Sequence, residues 1–256
     1  MRTLTELFET SDIVWTAHRG ASFEDAENTL SGFRRAVAAG ADMIEFDVRM
    51  SRDGVPVILH DKTIDRTSDG TGRPEEWTLA ELKQREFTYF SRGERLQKPL
   101  HPGESIPTFE EVLAEFRDLA AMNIQVYAGP AGLSEICRLY LKYGMTDHGY
   151  LTIAKTEDAQ AVRAISPDIE ICLTPGWHER NLPENLRKCA AFGCRFVQPI
   201  RETATAETFA VCRELGLRAN VFFADDAETA RAAIALGAPG FLTNRISVMQ
   251  QAFSDK

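Results

Sequence analysis

Two histidines and two acids in this chain sit where strands would deliver them to one place. His18 closes the run Trp15-Thr-Ala-His18 and is followed by Arg19-Gly20, while His60 ends Val57-Ile-Leu-His60 and is followed by Asp61. Between them, Ile44-Glu-Phe-Asp-Val48 sets Glu45 and Asp47 two apart. In a strand both acids leave one face, and Ile44, Phe46 and Val48 leave the other. Imidazoles exchange protons near neutral pH. Paired carboxylates are hard oxygen ligands suited to Mg²⁺ or Ca²⁺, and without a cation they would repel each other. Arg19 adds a planar fork that matches two phosphate oxygens. Together these residues predict metal-assisted acid/base chemistry on a phosphate.

Composition narrows the class. The 256 residues carry 44% hydrophobic and 26% charged side chains, the balance of a folded enzyme rather than a disordered segment. A net charge of −9 argues against nucleic acid as partner, because backbone binding needs clustered cations. It leaves room for a small anionic substrate held through a divalent metal. Five cysteines, an odd number with no C-x-x-C pair, point to reduced thiols and a cytoplasmic setting. No apolar run is long enough to span a membrane, and the acids near the start do not fit a signal peptide.

The elements that must position these residues alternate along the chain. Strand patterns at 13–17, 43–48 and 55–59 are separated by a helix that begins at Leu30 and is closed by Gly40. Residues 62–107 break the rhythm with turn formers and charges, and read as an insertion over the pocket. A capping box at Thr108 and Glu111 restarts it. Strands at 122–127, 150–154, 169–173, 195–199, 217–223 and 240–243 then alternate with helices. This predicts an α/β chain folded as a (β/α)8 TIM barrel, one domain over 1–256 with a small insertion after the second barrel strand.

Several ordered motifs resemble one family. His18-Arg-Gly20, Glu27-Asn-Thr29, the segment from Gly40 to Val48, Asp53 to Asp61, Asp65-Arg-Thr67 and Gly70-Thr-Gly72 are similar to the glycerophosphodiester phosphodiesterases. The likeness is dense from about 13 to 73 and thinner but collinear to Arg245. It implies a (β/α)8 barrel that cleaves glycerophosphodiesters to glycerol 3-phosphate and an alcohol with a divalent cation, Mg²⁺ or Ca²⁺. It implies His18 and His60 as the acid/base pair, Arg19 on the phosphate, and Glu45 and Asp47 on the metal. Glu27 and Asn28 would cap the next helix and brace the histidine loop. Which histidine is the acid stays open, as does attack by the substrate's own hydroxyl through a cyclic phosphate.

The chain also departs from the family pattern. Where the family's fourth strand carries Glu and Lys two apart, this chain has Gln125 and Tyr127. A Gln carbonyl still coordinates, but the site loses one negative charge, and Tyr127 offers the phosphate only a neutral donor. Lys155, at the end of Leu151-Thr-Ile-Ala-Lys155, is a candidate replacement cation. Phe222 stands where a tryptophan is usual and would floor the glycerol pocket, and Thr243-Asn-Arg-Ile246 replaces Thr-Asp-Arg-Pro. These changes motivate two other readings. One is a weakened or inactive barrel that binds phosphoesters or regulates. The other is a lyase or phospholipase D-like enzyme on a different headgroup.

Overall fold

The alternation closes on itself. The computed structural model describes residues 2–254, beginning with α1 (Leu4–Thr10), β1 (Val14–His18), α2 (Leu30–Ala38), β2 (Met43–Met50) and β3 (Pro56–Ile58). The next segment holds α3 (Leu79–Leu82) and a hairpin, β4 (Phe90–Ser91) with β5 (Glu94–Arg95), before α4 (Phe109–Phe116). Strand–helix units follow: β6 (Ala121–Val126) with α5 (Pro130–Lys142), β7 (Gly149–Ile153) with α6 (Thr156–Ile165), and β8 (Ile171–Leu173) with α7 (Pro183–Phe192). The last are β9 (Phe196–Val197) with α8 (Ala206–Glu214), β10 (Arg218–Ala219) with α9 (Ala227–Leu236), and β11 (Gly240–Thr243) with α10 (Ile246–Ser254).

Parallel ladders run β11–β1–β2–β6–β7–β8 and β9–β10. A bridge from Val221 to Phe241 joins the second group to β11, and Arg195 grips Glu170 at 2.6 Å across the seam between β8 and β9. The result is a (β/α)8 barrel with its strand C-termini on one rim, the end where such barrels place their sites.

One strand assignment needs correction. The extended run at 55–59 is no member of the barrel: β3 pairs antiparallel with β2, Val48 opposite Ile58. Strand β6, which carries Gln125, is therefore the third parallel strand rather than the fourth, and it pairs directly with β2. Hydrophobic alternation marks β3 as extended but does not encode the direction in which it pairs.

The interior is layered. At the bottom, Leu4 and Leu7 of α1 pack with Val14, Met43, Tyr150 and Phe196 and plug the barrel. Above them is a polar layer: Asn220 Nδ2 donates to Thr16 Oγ1 at 2.8 Å and to the Tyr150 hydroxyl at 3.1 Å, and Asn123 Nδ2 donates to Gln198 Oε1 at 3.2 Å. Its buried polar groups are largely paired, as an interior layer of this kind must be if it is not to cost stability. The inserted segment has a small core of its own, in which Leu59, Ile64, Leu82, Phe87 and Ile106 pack together. That core anchors the loop bearing His60.

Candidate active site

Register sets the site. His18 lies beside Glu45 across the β1–β2 ladder, and Asp47 lies beside Gln125 across β2–β6. Side chains of one sheet row point to one face, so these four enter the barrel mouth together. They line a cavity of about 280 Å³ with Arg19, His60 and Tyr127. Phe222, Trp177 and Arg180 complete the lining.

The turn after β1 is held by backbone strain and carboxylates. Arg19 sits in the left-handed region (φ 57°), which aims its amide at Glu45 Oε2, 2.9 Å away. Gly20 follows at φ 78°, where a Cβ would come 2.9 Å from the Gly32 backbone. The Arg19 side chain lies 3.2 Å from Glu27 and 3.3 Å from Asp47. Asn28 donates to Asp47 Oδ2 at 2.9 Å and sends its amide to the Arg19 carbonyl at 3.0 Å. The bracing expected of Glu27 and Asn28 is thus visible, but the cap of α2 is Thr29, whose side chain accepts from the Gly32 amide.

The two imidazoles have different partners. His18 is buried, with Nδ1 2.7 Å from Asn244 Oδ1. Asn244 Nδ2 donates to Asp225 Oδ2 at 2.8 Å, which turns the amide oxygen toward His18 and makes His18 Nδ1 the donor. Burial, and then the Arg19 charge, hold the His18 imidazole down to about 3, so it is neutral at pH 7. His60 Nδ1 instead lies 2.7 Å from Asp61 Oδ1. The bond to His60 holds the Asp61 carboxyl far below the usual range despite partial burial, and Arg66 reinforces it at 2.6 Å. Arg66 also grips both oxygens of Glu27, at 2.8 and 2.7 Å.

Glu45 and Asp47 are 4% and 1% exposed, so they are nearly removed from water. Burial first and the neighbouring Asp47 second push the Glu45 carboxyl well up; burial raises Asp47 against the pull of Arg19. Arg19 only partly compensates this pair. Among the described residues, the hydrogen bonds engage one oxygen of each carboxylate, Glu45 Oε2 and Asp47 Oδ2. Gln125 Nε2 leans to the Thr152 carbonyl at 3.3 Å, which leaves its Oε1 as the free end. Two carboxylates and an amide oxygen form a donor set that fits a hard divalent cation. Among the described residues no three His, Cys, Asp or Glu side chains group as a metal site.

Tyr127 stands at the rim, 42% exposed, under the Arg49 guanidinium at 4.6 Å. Burial of the hydroxyl and the acids Asp47 and Glu45 raise the phenol, which stays protonated. Phe222 packs edge-on against His18 at 5.2 Å. Lys155 is not brought in: it is an exposed residue at the start of α6, and its neighbour Ala154 lines the cavity instead. Sequence reading missed Asn244, Asp225 and Arg180. The first lay in a motif already seen to differ; the other two carry no local signal.

Comparison with known proteins decides the family. Residues 18–248 match the model of the glycerophosphoryl diester phosphodiesterase family. The chain belongs to that family. It is therefore a phosphoric diester hydrolase by descent, from a family that is generally dependent on a divalent cation. The glycerophosphodiester phosphodiesterase of Caldanaerobacter subterraneus subsp. tengcongensis is 28% identical over 233 residues, 89% of this chain and 92% of that one. Human glycerophosphodiester phosphodiesterase 1 is 41% identical over 99 residues, 39% of this chain and 29% of the human protein. In fold, the chain is similar to a glycerophosphoryl diester phosphodiesterase from Silicibacter pomeroyi DSS-3, with a TM-score of 0.84, 22% identity, and 96% and 94% of the two chains covered. An Oleispira antarctica phosphodiesterase solved with its product sn-glycerol-3-phosphate gives a TM-score of 0.83 at 21% identity, covering 94% and 97%.

Proposed function

We propose that this glycerophosphodiester phosphodiesterase-family chain, with residues 1–256 acting as one barrel domain, hydrolyses a small glycerophosphodiester to glycerol 3-phosphate and an alcohol. The observation that carries the reading is the arrival of His18, His60, Glu45 and Asp47 at one cavity from separate segments. Glu45, Asp47 and the Gln125 carbonyl would hold Mg²⁺ or Ca²⁺. Bound there, the cation would neutralise phosphoryl oxygens and draw charge from the reacting phosphorus.

His18 keeps its proton on Nδ1 against Asn244, so Nε2 presents a lone pair and takes the proton from the water that attacks phosphorus. His60, held through Nδ1 by the Asp61 carboxylate, protonates the departing alkoxide. Arg19, already held by Glu27 and Asp47, steadies the phosphate end, and Tyr127 donates a neutral hydrogen bond at the rim. Phe222 walls the apolar side of the bound alcohol. Five free, buried cysteines suit a cytoplasmic compartment, and no described helix is long and apolar enough to cross a membrane.

Turnover of glycerophosphocholine with Mg²⁺ or Ca²⁺, abolished by EDTA and by His18→Ala, is the expected result. Tight phosphoester binding with no turnover under either metal would instead favour a binding module.

A further inference from the structure

The cations around the cavity differ in what they are doing. Arg19 shares its charge with Glu27 and Asp47 as it reaches the phosphate end, and Arg66 is paired with Glu27 and Asp61. Arg49 donates twice to the His60 carbonyl, at 3.0 and 2.7 Å. Arg180 is the exception. It comes from the loop between β8 and α7, lines the same cavity as His18, His60 and Tyr127, and among the described residues has no ion-pair partner. Its Nε is buried with no hydrogen bond. Burial pulls its guanidinium down, and only Cys172 and Tyr127 oppose that pull, neither of them a carboxylate.

A half-buried guanidinium without a counter-anion costs stability, and chains keep such groups where a ligand supplies the missing charge. The side chain is also preorganised. It stacks over the Trp177 ring at 5.0 Å, and Trp177 meets Phe222 edge-on at 5.3 Å. A stacked guanidinium keeps its fork in one plane, the geometry that meets two oxygens of a phosphate.

We infer that Arg180 is a second substrate-binding cation of this cavity beside Arg19, receiving the non-bridging phosphate oxygens from the side away from Glu45 and Asp47. This rests on the phosphodiester reading of the same cavity, and so it is tested by binding as well as by turnover. The phosphate would lie between the guanidinium on one side and the carboxylate pair with its cation on the other. Trp177 and Phe222 would form the apolar wall beside it.

The probes are inorganic phosphate and sn-glycerol 3-phosphate, titrated with Mg²⁺ present into wild type, Arg180→Met and Arg180→Lys, with tryptophan fluorescence and calorimetry as readouts. A charge-assisted pair should make Arg180→Met bind about 10- to 100-fold more weakly, with Arg180→Lys between, since a lysine restores charge but not the fork. In thermal melts without ligand, Arg180→Met should be as stable as wild type or more so, because an unpaired buried charge has gone; a purely structural arginine would show a loss. If turnover is measurable, KM should rise along with a fall in kcat. Equal phosphate affinity in wild type and Arg180→Met overturns the assignment, as does failure of the wild type to bind either probe. Loss of turnover on all diesters with the affinity ratio preserved would overturn only the hydrolytic reading.

Discussion

His18 Nδ1 and Asn244 Oδ1, 226 positions apart, lie 2.7 Å from each other and tie the end of the first barrel strand to the residue after the last. The contact closes a chain in which Asp225 orients Asn244 and Asn244 orients the imidazole. Asn244→Leu should leave a buried N–H without a partner, at a cost of about 1–3 kcal/mol that the enzyme meets by letting the ring turn. We expect kcat to fall about 10- to 100-fold with little change in KM, and the Asp225→Asn variant to fall less. An unchanged kcat in Asn244→Leu would show that His18 is held by other contacts.

The contrast between an amide behind His18 and a carboxylate behind His60 predicts different sensitivities to the leaving group. A nitrophenolate departs without a proton, whereas an aliphatic alkoxide needs one. His60→Ala should therefore lose about 10²- to 10⁴-fold on glycerophosphocholine but far less on bis-p-nitrophenyl phosphate. His18→Ala should lose comparably on both. Ratios of kcat/KM for the two substrates read this directly; equal ratios in the two variants would reverse or dissolve the assignment.

Gln125 sits in register with Asp47, so Gln125→Glu adds a negative charge beside two acids already removed from water. Without metal the third acid repels the others and should lower the melting temperature. With metal it adds an attraction that, even at an effective dielectric near 20, amounts to a gross few kcal/mol before desolvation. Half-activation by Mg²⁺ should shift to concentrations about tenfold lower or more. Calorimetric titration and paired melts in EDTA and Mg²⁺ check both signs. Unchanged affinity would mean that residue 125 does not reach the cation.

How far the sequence could be read depended on the range of each signal. Glu45 and Asp47 were legible because two-residue spacing fixes a shared face whatever the tertiary fold. The barrel was legible from repeated strand–helix alternation, and residues 62–107 as an insertion because turn chemistry replaces periodicity there. The misplaced element, 55–59, failed on direction: antiparallel pairing with β2 and a parallel place in the barrel look alike in one strand's pattern. The plug α1 was readable in principle, since Thr3 and Glu6 form a capping box ahead of Leu4 and Leu7. Arg180 was not, because its meaning lies in what it fails to pair with, and that depends on every loop around the barrel mouth.

The Arg66 cluster predicts how stability changes with pH. Burial alone would raise the Glu27 carboxyl, but hydrogen bonds from Arg66 and the Arg19 charge bring it below its ordinary value; Asp61 is lowered by His60 and then by Arg66. Carboxylates depressed in the folded state contribute stability that is present above their unfolded pKa of about 4 and is lost as pH falls through the folded value. Arg66→Met removes the common partner, so the variant should be less stable at pH 7 by about 1–3 kcal/mol. Between pH 5 and 3 the wild type should lose stability more steeply than the variant, and the two urea midpoints should converge. A gap that stays constant to pH 3 would mean that Arg66 supports the His60 loop by packing over Phe90, 4.2 Å from its guanidinium, and not by charge.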